Sequence, residues 1–304
     1  MSARTPSWPP TAVSHVIHVD GPLHYLDFGG PPDAPVMLCV HGLGGSALNW
    51  GIVAPLLTGS YRVLAVDLVG HGRTRPHGGG DVIEANLRLL DGFTAVINQP
   101  VILLGHSMGG VLALLYAQRS PRAVDRMVLL SPPLPRPTHW PLDAPLAVKR
   151  ALLSTPGVRW TVARTQQGKT PEQQVDRQLR NATPYVSRIP SEGISAVIDE
   201  TRERGNNPSA ATAQATQWKS ILAVMAVLVR VRSFRRRLRT LSVPVLWLQG
   251  TDDPFVSIGT ARHFAAIRPD WRFETREHTG HLPHLECPEW VARETHAWLT
   301  ETLV

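Results

Sequence analysis

Cysteine and lysine are both scarce in this 304-residue chain. The two cysteines, Cys39 inside an apolar run and Cys287 near the C-terminus, are too few for a disulfide framework and read as reduced structural thiols. No C-x-x-C or H-x-x-x-H pair occurs among the thirteen scattered histidines, which excludes the common metal-ligand spacings, so no metal is expected. Lysine is confined to Lys149, Lys169 and Lys219, and the remaining cations are arginine. No apolar run reaches the roughly 18 residues of a membrane span. The opening "MSARTPSWPPTAVSH" lacks the apolar core of a signal peptide, so a soluble, cytoplasmic protein is expected. The glycine-rich "HGGGD" at 77–81 lacks the Lys-Ser/Thr of a phosphate loop and reads as a surface loop.

The chain does have a 43% apolar content, enough for a packed core, and 27 prolines concentrated where regular structure must stop. Its net charge of +7 is uneven: residues 132–242 hold 18 Arg and Lys against 7 Asp and Glu. An excess gathered in one block says little about a nucleic-acid partner, and none is expected.

Short aliphatic runs at 36–42, 61–70, 101–107, 125–131 and 243–250 read as strands buried on both faces, the pattern of a parallel sheet covered by helices. Helical spacing falls between them at 47–57, 82–98 and 108–119, and again at 258–267 and 288–302. "SHVIHV" and "LHYLDFG", separated by Asp20-Gly21-Pro22, predict an antiparallel hairpin at the sheet edge. The prolines of "SPPLPRPTHWPLDAP" break this rhythm at 131. An all-helical insertion follows, with Thr170-Pro171 as one helix start and Gly205 as a stop, until the strand pattern resumes at 243. The expected organisation is a core of residues 1–131 and 243–304 with a helical cap over 132–242.

"VILLGHSMGG" passes from strand to helix through Gly105-His106-Ser107-Met108-Gly109. A serine held on so sharp a turn needs small neighbours two residues away on each side, and the turn aims the Met108 N–H where an oxyanion would form. A serine hydroxyl needs a base to take its proton and a carboxylate to orient that base. The candidates are Asp252 or Asp253 after one strand, and His278, His281 or His284 in the loop after the next.

Five segments in chain order, "HGLGG", "DLVGHGRT", "GHSMGG", "GTDDPFV" and "GHLPHLECPEW", resemble the α/β-hydrolase superfamily, in its capped, esterase- and lipase-like branch. The resemblance covers roughly residues 15–131 and 243–304. It implies Ser107 as nucleophile, Asp253 as acid and His281 as base, with the backbone N–H groups of Leu43 and Met108 as oxyanion donors and no cofactor. It makes Asp252 a turn cap, puts His278 at a strand end and His284 in the following turn, lets His41 and His106 shape the loops, and makes Asp67 and His71 scaffold for the loop after their strand. Serine at the turn argues against the branches that use a carboxylate nucleophile, the epoxide hydrolases and haloalkane dehalogenases.

The insertion's "WKSILAVMAVLVRVRSFRRRLRTLS", residues 218–242, places an all-round apolar stretch before six arginines. It reads as a cap helix roofing an apolar pocket with a solvated arginine end, or as a helix resting on an anionic membrane. The expected activity is cleavage of a small apolar carboxylic ester through an acyl-enzyme. Carbon-carbon bond hydrolysis, lactone opening, acyl transfer and cofactor-free perhydrolysis could use the same residues, and a small-ligand receptor could use the same scaffold.

Overall fold

The computed structural model describes residues 12–75, 80–139, 142–158, 161, 164 and 168–301. The opening residues and most of the glycine-rich stretch at 77–81 lie outside them. Eight strands, β1 (Val13–His18), β2 (Pro22–Asp27), β3 (Val36–Val40), β4 (Arg62–Val66), β5 (Val101–His106), β6 (Val124–Leu130), β7 (Val245–Gly250) and β8 (Arg272–Arg276), form one sheet in the order β1-β2-β4-β3-β5-β6-β7-β8. The edge hairpin β1–β2 is antiparallel, and β2 is antiparallel to β4. From β4 to β8 every pair is parallel, as the unbroken apolar runs require.

Those runs feed two cores at once, because successive side chains on a strand point to opposite faces. In β3, Val36, Leu38 and Val40 join one apolar cluster while Met37 and Cys39 join the other, and all five are buried. The first cluster is covered by α1 (Val82–Ile97), α2 (Met108–Arg119) and α8 (Ile258–Ala265), the second by α10 (Pro288–Glu301) and the Trp50 segment. The helix expected over 47–57 is instead two short 3-10 turns, Ala47–Trp50 and Ala54–Leu56. Gly51 follows the first turn and Pro55 sits within the second, so helical hydrogen bonding does not propagate across them.

Between β6 and β7 the described residues carry only helices: α3 (Ala144–Ser154), α4 (Pro171–Ala182), α5 (Ser191–Gly205), α6 (Ala210–Val229) and α7 (Val231–Thr240). Thr170 caps α4 in a capping box with Gln173, and α5 ends at Gly205. The segment read as one unit at 218–242 is two helices broken at Arg230 (φ −87°, ψ 67°). The break turns Phe234 and Leu238 into the first core cluster, where Phe234 meets Phe264 edge to face at 5.7 Å. Arg268 donates to the Leu238 and Leu241 carbonyls at the end of α7, and Gln118 of α2 exchanges hydrogen bonds with Arg237. Although it lies inside the insertion, α7 therefore packs as a member of the core layer and turns Arg232, Arg236, Arg237 and Arg239 to solvent. No helix among the described residues is long and apolar enough to cross a membrane.

Candidate active site

The chain enters α2 from β5 through Ser107, whose backbone sits at φ 51°, ψ −121°, a region unfavourable to any residue with a side chain. Steric room decides the flanking residues. A Cβ on Gly109 would lie 2.2 Å from the Val40 carbonyl oxygen, and one on Gly105 would lie 2.7 Å from the Gly109 carbonyl oxygen. The Ser107 N–H donates to the Leu130 carbonyl at 2.9 Å, tying the turn to the end of β6.

From this turn the Ser107 hydroxyl reaches His281 Nε2 at 2.8 Å, and His281 Nδ1 lies 2.8 Å from Asp253 Oδ2. Asp253 also accepts from the backbone N–H groups of Phe255 (2.8 Å) and Val256 (3.0 Å) and from Gln249 Nε2 (2.9 Å). With every partner an N–H donor, Asp253 acts as an acceptor. His281 Nδ1 accordingly carries the ring proton, and Nε2 is left to accept from Ser107. The arrangement can remove a proton from Ser107 and hold the imidazolium that results. Asp253 and His281 are both buried, at 6% and 5% exposure, so water competes little for these bonds.

Three residues that the sequence reading passed over hold this relay in place. Glu286 accepts from the Gly280 N–H at 2.7 Å and from the Leu282 N–H at 2.9 Å, one carboxylate oxygen for each neighbour of His281. The His281 N–H itself donates to the Ala182 carbonyl of α4 at 3.0 Å. Burial pushes the Glu286 carboxyl upward, while its backbone donors pull the other way. Gln249 is fully buried and sits between the Trp247 indole N–H (3.2 Å) and Asp253. Thr183 packs against Gly280, where an added Cβ would meet its hydroxyl at 2.5 Å. The acidic residue two places before Pro288 and the glutamine at a strand end were the available signals.

The other candidates stand elsewhere. Asp252 accepts from the Thr251 and Tyr185 hydroxyls, which hold its carboxyl below the usual range, and it does not contact His281. His278 is exposed, at φ 52°, beside Tyr185 and Asp252. His284, expected in a turn, lies in a four-residue helix, α9 (Pro283–Glu286), and is fully buried between the His106 and Trp50 rings. His106 Nε2 donates to the His281 carbonyl at 2.9 Å, and His41 Nδ1 donates to the Gly42 carbonyl at 2.7 Å while its Nε2 accepts from the Leu68 N–H. Burial lowers the pKa of both. Asp67 accepts from the Ala47 and Arg73 N–H groups and from His24, so it fixes the loop after β4. His71 donates to the Val69 carbonyl in that same loop.

Ser107, His281, Leu43 and Met108 all line one cavity of about 700 Å³. A Cβ on Gly42 would lie 3.0 Å from the Ser107 Cβ, so the loop that carries Leu43 touches the serine. The roof and walls come largely from the insertion, including Leu146 of α3, Leu179 of α4, Val197 of α5 and Val224 and Leu228 of α6.

A sequence profile described as alpha/beta hydrolase fold matches residues 35–288. The chain belongs to the α/β-hydrolase family. This α/β hydrolase is 27% identical over 278 residues to the sn-1-specific diacylglycerol lipase ABHD11 of Mus musculus, covering 88% of this chain and 82% of the relative. It is also 27% identical over 276 residues to a 2-hydroxy-6-oxononadienedioate/2-hydroxy-6-oxononatrienedioate hydrolase of Paraburkholderia xenovorans, covering 88% and 86%. Among solved structures, a candidate lipase of Acinetobacter baumannii superposes with a TM-score of 0.72 at 25% identity, over 96% of this chain and 92% of that one. Lipases and another hydrolase are thus among the proteins that this α/β hydrolase resembles.

The buried histidines make a pH prediction. Burial holds His71 and His284 down at about 3, below the ordinary 6.5. The unfolded chain therefore binds protons that the native state refuses, and stability falls on acidification from about pH 6.5 towards pH 3, by about 1.4 kcal/mol per pH unit for each such group. Urea denaturation of wild type and His284→Leu between pH 7 and 4 should show the shallower slope in the variant. Parallel slopes would mean that His284 is not held neutral.

Proposed function

We propose that this α/β hydrolase is a serine esterase that cleaves carboxylic esters with an apolar portion through an acyl-enzyme intermediate. The observation that carries the reading is the hydrogen-bonded series Asp253–His281–Ser107 opening on a mostly apolar cavity. Ser107 attacks the ester carbonyl while His281 takes its proton, and Asp253 steadies the imidazolium. The backbone N–H groups of Leu43 and Met108 receive the oxyanion. His281 then returns the proton to the departing alcohol, and water, activated by the same ring, releases the acid. The apolar portion rests beneath the helical cap formed within residues 132–242, with no cofactor. Carbon-carbon bond hydrolysis is the second reading, favoured by the Paraburkholderia relative. The apolar lining suits a fatty ester better than the dicarboxylate of that relative's name. The arginines of α7 do not serve membrane insertion in this reading, since the helix's apolar face is spent on the core.

Turnover of p-nitrophenyl esters of increasing acyl length should be lost by at least about a thousandfold in Ser107→Ala and His281→Ala. His278→Ala should retain most of the rate. Equal rates for wild type and Ser107→Ala would refute the assignment. On the same esters, Glu286→Gln should lower kcat by about ten- to a hundredfold with KM little changed, because an amide can accept only one of the two N–H bonds that hold His281. A change in KM alone would show that Glu286 does not act through the histidine.

A further inference from the structure

The cavity-facing stripe of α5 is Gly193, Ile194, Val197 and Glu200, one helical face that stays small or apolar until its last member. Glu200 is 4% exposed, lies in the cavity wall and is not used by the relay around Ser107. A wall built only for hydrocarbon would not hold a carboxyl group there, since burying it without partners is costly. In the same cavity lining, α6 contributes Gln217 and Ser220 before its own apolar Ile221, Val224 and Leu228. Residues 206–209 join the two helices, so Glu200 and Gln217 both lie within two turns of that connection. Both also face the loop after β4: Gln217 Nε2 donates to the Gly70 carbonyl at 3.3 Å, and Asp67 and Arg73 are charged neighbours of Glu200. Glu200, Gln217 and Ser220 thus give the cavity wall a polar patch near this connection, beside its apolar lining.

The partners of Glu200 leave capacity for a ligand. Ser46 and Arg204 lie beside it and favour its carboxylate, and Arg204, one turn on, spends Nη2 on Thr201 while its buried Nη1 has no hydrogen-bond partner among the described residues. Ser220 donates its hydroxyl to the Thr216 carbonyl and keeps its lone pairs. A cationic ligand would meet Arg204 and Arg73, and an anionic one would meet Asp67 and Glu200 itself. A neutral group that both donates and accepts suits the patch best.

We propose that Glu200, with Gln217 and Ser220, forms a subsite for a hydroxyl group on the apolar portion of the substrate, so that the preferred ester is a hydroxylated one. Burial raises the Glu200 carboxyl to about 7, where it is present both as acid and as carboxylate. A hydroxyl pairs with either form. The subsite rests on the ester reading for its chemistry, but its binding does not.

The test uses p-nitrophenyl decanoate and the isomeric p-nitrophenyl hydroxydecanoates, in which one hydroxyl is moved along the chain. In wild type at least one isomer should exceed the plain ester in kcat/KM by about ten- to a hundredfold, the worth of a hydrogen bond to an ionisable group. Glu200→Leu should erase the difference and Glu200→Gln should keep most of it, with Glu200→Met replacing the leucine variant if that fails to fold. In parallel, thermal shifts of Ser107→Ala protein with the same esters report binding without turnover. Hydroxylated isomers that bind more tightly to Ser107→Ala, in the absence of any wild-type turnover, would sink the ester reading and support the subsite. Turnover with no isomer preferred, or a preference that survives Glu200→Leu, would overturn the subsite and leave the ester reading standing.

Discussion

At Gly109 the first turn of α2 lies so close to the end of β3 that one added methyl group would sit 2.2 Å from the Val40 carbonyl oxygen. This contact fixes the height of α2 above the sheet, and with it the strained backbone that lifts Ser107 out of the turn. The same economy recurs where β7 ends. A Cβ on Gly250 would lie 2.3 Å from the carbonyl oxygens of both Thr279 and Gly280, so the loop carrying Asp253 and the loop carrying His281 touch through bare backbone. Three segments far apart in sequence converge because small residues stand where they cross.

Convergence alone does not aim an imidazole. His281 is aimed by bonds to its ring from Asp253 and by bonds to its backbone from α4 and Glu286, which immobilise the residue before any substrate arrives. Pre-organisation of this kind is what lets a hydrogen-bonded series act as a relay, because little reorganisation remains to be done during reaction. The contact to Ala182 also joins the helical insertion to the histidine loop, so the segment that shapes the cavity and the residue that would move the proton are mechanically linked. Tyr185 and Arg188 extend that junction to Asp252 and to the His278 carbonyl.

The strand runs and the order serine, acid, histidine were legible because they rest on local facts: continuous apolarity for a sheet covered on both faces, glycines for a tight turn. Asp253 and His281 could be singled out from their neighbours only through family resemblance, since Asp252 and His278 have the same chemistry and differ in which way the loop points them. Glu286 left only a faint signal, an acidic residue two places before Pro288, because its partners are backbone N–H groups, which leave no mark in side-chain identity. Glu200 was hidden for a different reason: in sequence it is one more charged residue in "DETRER", and only the helix register turns it into the cavity. The break at Arg230 likewise follows from packing, since Phe234 finds Phe264 from a part of the chain that does not yet exist when residues 218–242 are read alone.

The central claim is that Ser107 is made nucleophilic by its bond to His281. A fluorophosphonate reagent tests this without knowledge of the natural substrate, since it phosphonylates an activated serine and spares ordinary ones. Mass spectrometry of the digested protein should find one adduct per chain, on Ser107, formed at least about a hundredfold more slowly in His281→Gln. Folded protein that stays unlabelled, or that carries the adduct on another residue, would contradict the claim.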